Sequence, residues 1–90
     1  MKHNKFKEVF YKVGEILEPK SCKILLLMFG ISDDNGNVST SLTDLEKRSG
    51  MSISTIRRAL KELENKRILT ITLKAGMNTD YKLNLNDGLL

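Results

Sequence analysis

Two short hydroxyl residues, Ser54 and Thr55, stand just ahead of three cations, Arg57, Arg58 and Lys61. No histidine or carboxylate is spaced to activate a hydroxyl there, so the chemistry these residues suit is binding rather than bond making. Hydroxyls donate and accept hydrogen bonds, and arginine offers a planar fork of donors that matches a phosphate or the edge of a guanine. At about 100° per residue, Ile56, Ala59, Leu60 and Leu63 fall on one side of a helix. Ser54, Arg58, Lys61 and Asn65 fall opposite; Thr55 and Arg57 flank that face, and Ile53 lies at its border. Ser54, Thr55 and Arg58 sit in the first two turns, where free backbone N–H groups and the positive end of the helix dipole meet an approaching anion. A local reading competes. Ser52 or Ser54 caps the helix, and the arginines stay in solvent, paired with Glu62 or Asp44.

Other chemistry has little to draw on. The chain has one histidine, His3, and one cysteine, Cys22, too few for a metal site, and Cys22 lies in an apolar stretch that suits a buried thiol. There is no glycine loop to cradle phosphates, no paired-carboxylate pocket and no nucleophile–base constellation. The expectation is a protein that is not an enzyme, with no cofactor, metal or small-molecule ligand. A lone cysteine cannot close an internal disulfide, MKHNKFKEVF lacks the apolar run of a signal peptide, and ILLLMFGI is too short to span a bilayer. These features predict a soluble cytoplasmic protein without membrane attachment. A net charge of +4 permits an acidic partner, and 40% hydrophobic with 29% charged residues describes a globular chain, not a disordered tail.

The elements that must position the hydroxyl–arginine face are legible in the pattern. Phe6, Val9, Phe10, Val13, Ile16 and Leu17 form one stripe of an amphipathic helix. Glu18-Pro19 ends it, and a second helix over about Lys20 to Gly30 is apolar nearly all round, as the central helix of a small core would be. Ser32 to Ser41 reads as a turn-rich connector around Asn35-Gly36, with Val38 in a very short strand. Ser41 followed by Asp44 resembles a capping box opening a short third helix, which Gly50 stops. The fourth helix runs from a Ser52 cap to about Lys66. Leu69, Ile71 and Leu73 then alternate with Thr70, Thr72 and Lys74, and Tyr81, Leu83 and Leu85 alternate with Lys82 and Asn84. AGMNTD between these runs predicts a six-residue hairpin loop. Ninety residues leave no room for a second core.

SLTDLEKRSGMSISTIRRALKELENKRILTITL followed by YKLNL resembles the winged helix-turn-helix family of DNA-binding domains. Leu42 and Leu45, the turn Gly50-Met51-Ser52, and STIRRAL then LENKRIL stand where that family's pattern expects them. The resemblance implies a mainly α fold with a β-hairpin wing: one domain over 1–90, in which 1–18 is an extra N-terminal amphipathic helix and 19–86 the winged-helix core. It implies a double-stranded DNA partner, with the helix at about 52–66 in the major groove. Ser54, Thr55 and Arg58 would approach base edges, while Arg57, Lys61, Lys47, Lys74 and Lys82 would contact phosphate. Asn78 and Thr79 would lie at the wing tip, with Lys74 and Lys82 near its base. Three residues depart from the pattern. Glu46 stands where a small residue is usual, Ser49 where an apolar one is, and Arg67 in place of a glycine that commonly ends the helix.

A minimal winged domain does not need the first helix. Its stripe either covers the second helix or, through Phe6, Phe10, Tyr11, Val13 and Leu17, forms a homodimer interface; both can hold. The function implied is sequence-specific binding by a small transcriptional regulator located at the nucleoid. Phage and plasmid replication initiators carry similar winged domains, and some winged helices bind proteins instead of DNA. Those two roles are the alternatives.

Overall fold

Pro19 occupies the first turn of a helix, where its missing N–H is no loss, and that helix organises the rest. In a computed structural model, residues 5–76 and 78–84 are described, those at 5, 6, 9 and 73–75 by backbone alone. The chain runs α1 (Lys5–Ile16), α2 (Pro19–Ile31), β1 (Asn37–Thr40), α3 (Leu42–Ser49), α4 (Ile53–Asn65), β2 (Leu69–Ala75) and β3 (Asn78–Leu83). The fold is a winged helix-turn-helix: among the described residues, four helices and a three-stranded antiparallel sheet of order β1-β3-β2.

The core gathers Ile24 and Met28 of α2, Val38 of β1, Leu45 of α3, Ile56 and Leu63 of α4, and Ile68 and Leu69 at the start of the wing, all essentially closed to solvent. The apolar stripe of α4 is therefore the face that docks on α2, α3 and β2. Burying side chains of this size contributes about 1.5–3 kcal/mol each. The opposite face of α4 is left outward by the same packing.

The wing differs from expectation in two ways. The six-residue loop is far shorter, because Ala75 pairs with Asn78 and only 76 and 77 lie between the strands. Pairing draws residues 78–80 into β3: Asn78 faces Ala75 of β2, and Thr79 faces both Thr40 of β1 and Lys74 of β2. The alternation of β2 also breaks. Ile71 stands opposite Tyr81, but Leu73 stands opposite Asp80, so Thr72 is an extra residue in a bulge. The Thr72 hydroxyl donates to the Asp80 carbonyl at 3.0 Å, tying the bulged residue across the ladder. Leu73 is thus out of register with Leu69 and Ile71. Met77 and Leu85 lie outside the described residues.

The α1 stripe divides. Val13 and Leu17 are buried within the chain itself, while Phe10 and Ile16 remain about 40% exposed and Tyr11 72%. The Phe10 ring meets Phe29 of α2 edge-to-face at 5.9 Å. The core thus takes Val13 and Leu17 from the C-terminal half of the stripe, and Phe10 adds a ring contact to α2; the side chain of Phe6 lies outside the described set.

Candidate nucleic-acid interface

The turn before α4 is fastened from three sides. Gly50 adopts φ 74°, a left-handed conformation that ends α3 and lets its N–H reach the Glu46 carbonyl. Ser49, the residue that replaces the family's usual apolar one, is buried, and its hydroxyl accepts the Met51 N–H at 3.0 Å. The Ser49 carbonyl in turn accepts from the Lys23 ammonium at 3.0 Å, which pins the turn to α2 and places a cation at the negative end of α3. No sequence signal marks Lys23, since it lies 26 residues from its partner. Glu46 is exposed, so no carboxylate is buried where the family pattern has its small residue.

Ser52 caps α4 as expected, its hydroxyl accepting from the Thr55 N–H at 3.3 Å. It also donates to the Thr55 hydroxyl at 2.9 Å and lies 3.3 Å from that of Ser54. Thr55 is half-buried in this cluster, whereas Ser54, Arg57, Arg58 and Lys61 are exposed. Arg57, Arg58 and Lys61 have no ion pair or side-chain hydrogen bond among the described residues. Asp44, their partner in the local reading, pairs instead with residues close to it in sequence. Its Oδ2 accepts from Arg48 Nε at 2.9 Å and from the Thr40 hydroxyl at 2.8 Å. These bonds, that of Arg48 foremost, hold the Asp44 carboxyl below its ordinary pKa. The i,i+4 spacing of Asp44 and Arg48 is the sequence signal for that pair. Lys47 beside it is exposed and outward.

The two arginines face different neighbours. Arg58, with Thr55 and Glu62, lines a cleft of about 230 Å³ against Glu18, Lys20 and Ser21 at the start of α2. Arg57, with Lys61 and Glu64, rims a groove of about 370 Å³ toward the wing, floored by Leu42, Leu60, Ile71 and Tyr81. Burial raises the pKa of the Tyr81 phenol in that floor. Ser54 and Lys61 crest the ridge between cleft and groove.

The cations of the wing separate too. Lys74 stands opposite Thr79, one pair from the tip rather than near the base. Lys82 sits at the far end of the hairpin, between Asn37 and Thr70. Its ammonium donates to the Asn35 carbonyl, so this lysine fastens β3 to the α2–β1 connector. In the same connector Asp33 accepts the Asn37 and Asn35 N–H groups, which keep its pKa low.

A capped helix docked by its apolar face, entered through a left-handed glycine turn and followed by a hairpin, decides the kinship. Residues 15–69, from the end of α1 to the first residue of β2, match a family described as a helix-turn-helix domain. The chain belongs to the helix-turn-helix domain family. No curated protein matches the chain. Membership supports a DNA-binding role, and within the matched span α3, the Gly50 turn and α4 follow one another as helix, turn and helix. Among the described residues no cluster of histidine, cysteine and carboxylates could hold a metal ion, and no helix is long and apolar enough to cross a membrane.

Proposed function

We propose that this helix-turn-helix protein is a small transcriptional regulator that binds double-stranded DNA sequence-specifically, with α4 in the major groove. What supports this most is the outward ridge of α4: exposed Ser54, Arg57, Arg58 and Lys61, the three cations without internal partners among the described residues, on a helix fixed through its other face. Ser54 and Arg58 approach base edges, with Thr55 contributing from a hydroxyl shared with the cap. Arg57, Lys61, Lys47 and Lys74 meet phosphates on either side. Lys82 contributes least, because its ammonium is engaged with the connector. The protein acts in the cytoplasm, at the nucleoid.

Selection of bound fragments from a random duplex pool tests specificity directly, and a pool with no consensus refutes it. With about five phosphates neutralised per chain, affinity should fall with a log–log salt slope of roughly −4 to −5 for each chain bound. Arg58→Ala should cost about 1–3 kcal/mol and relax preference at one base pair, whereas Lys61→Ala should weaken all sequences alike and flatten the slope by about 1. Equal behaviour of the two variants overturns this division of roles. A replication or plasmid-maintenance role makes the same contacts and would be distinguished by where the selected sites fall. Absence of binding to any duplex at low salt would leave a protein-binding winged helix.

The reading includes a homodimer through the outer side of the first two helices. Val13 and Leu17 serve the chain's own core, so the surface offered is Phe10, Tyr11 and Leu26, the last 59% exposed. Light scattering should give twice the chain mass, reduced to one by Leu26→Lys; a monomer at every concentration removes the dimer.

A further inference from the structure

Among the described residues, one buried side-chain polar atom has no hydrogen-bond partner, Oε1 of Glu62. A carboxylate oxygen closed off from water and left without a donor is unfavourable, so such an atom calls for a donor that arrives in another state of the molecule. Glu62 follows Arg58 by one helical turn and lies about 40° further round toward the core. Both side chains line the cleft between α4 and the start of α2, Arg58 at its exposed lip and Glu62 recessed behind it. Arg58 has no partner either among the described residues. The other α4 residue with a polar side chain in that cleft, Thr55, has its hydroxyl engaged with Ser52.

We infer that Glu62 is the positioning residue of Arg58: on DNA, one edge of the guanidinium turns back onto the recessed carboxylate while the opposite edge faces the base. The inference rests on the reading of Arg58 as a base contact. Arginine has five N–H donors, and a guanine edge takes two, so the remainder suffices for a carboxylate. A guanidinium held from behind loses less freedom when it pairs with a base, and a wrong base leaves a fixed donor pair unsatisfied. Glu62 thereby sharpens discrimination without touching DNA. Because it adds negative charge beside a polyanion, it raises selectivity at the expense of general affinity.

The test measures dissociation constants for the full chain on its selected duplex and on duplexes changed at each base pair in turn. The base pair whose discrimination collapses in Arg58→Ala identifies the Arg58 contact. At that pair alone, Glu62→Met should lower discrimination on the order of tenfold, and Glu62→Gln, which keeps an acceptor, about threefold. Non-specific binding should tighten slightly in both. Melting curves of the free proteins accompany these measurements, since a merely structural Glu62 would change stability but not the preference at one pair. If Arg58→Ala alters no pair selectively, the base-contact reading and this inference both fall. If Arg58→Ala does so but both Glu62 variants discriminate like the parent, or lose affinity for every duplex alike, the inference alone is overturned.

Discussion

Two left-handed turns bracket α4, and they are built from opposite materials. Before it stands Gly50 at φ 74°; after it stands Arg67 at φ 63°, the one non-glycine residue with positive φ among those described. A Cβ built on Gly50 would meet nothing within 4 Å, so glycine there serves the backbone angle alone. Arg67 holds the same angle with a full side chain, which for an L-residue costs roughly 1–2 kcal/mol. The surroundings explain why it holds. The Arg67 N–H donates to the Glu64 carbonyl and the Ile68 N–H to that of Leu63, both near 3 Å, the paired bonds of a Schellman arrangement. Leu63 and Ile68, the two ends of that arrangement, are both completely buried. Asn84 clamps the turn from the end of β3, its side chain donating to the Arg67 carbonyl at 3.2 Å and its N–H to the Ile68 carbonyl at 2.8 Å. The entry turn is thus set by residue type, and the exit turn is imposed by what is packed around it.

A third left-handed site, Gly36 at φ 82°, separates angle from crowding. A Cβ on Gly36 would come within 3.0 Å of the Leu83 carbonyl oxygen, a backbone atom that cannot swing aside. The Gly36 carbonyl accepts the Leu83 N–H at 2.8 Å, locking the approach. Gly36→Ala should therefore destabilise by about 2–3 kcal/mol, the largest effect of the series, lowering the melting temperature by roughly 10–20 °C. Gly50→Ala meets the same angle without the crowding and regains some unfolded-state entropy, so about 0.5–1 kcal/mol is expected. Thermal melts read by circular dichroism check both. Equal losses would mean that angle, not contact, governs these turns.

The same contrast explains what the sequence discloses and what it hides. The four helices, the Gly50 stop, the Ser52 cap and the core stripe of α4 follow from local spacing, so each is legible. So is the unlike placement of Arg57 and Arg58. The extent of the wing loop is not, because strand pairing, not residue type, decides where a ladder ends: Asn78 and Asp80 favour turns, yet both pair with a neighbouring strand. The bulge at Thr72 leaves no mark in an otherwise regular alternation. Lys82 looks like a free cation in the sequence because its carbonyl partner on Asn35 is 47 residues away. Lys23, which fastens the Gly50 turn, is hidden for the same reason. The stripe on α1 reads as one face, yet packing splits it: the core takes Val13 and Leu17 and leaves Tyr11 outside. Local rules reach as far as one helix or one turn; assignments that depend on distant partners need the fold.

Arg67→Gly should give an effect as small as that of Gly50→Ala but of opposite sign, and the sharpest comparison of the two turns. Relief of the left-handed strain is offset in part by the extra freedom glycine gives the unfolded chain, leaving a gain of about 0.5–1 kcal/mol. The melting temperature should rise by about 2–6 °C. A loss of stability instead would mean that the arginine stem makes contacts worth more than the strain, and the contrast with Gly50 would collapse. Arg67 is exposed at the C-terminal end of α4, beyond the first two turns proposed above to face bases, so affinity for the selected duplex should stay within about twofold. A gain in stability accompanied by a salt slope shallower by about 1 would say something different: the strained arginine would then be a phosphate contact, with the strained backbone serving binding.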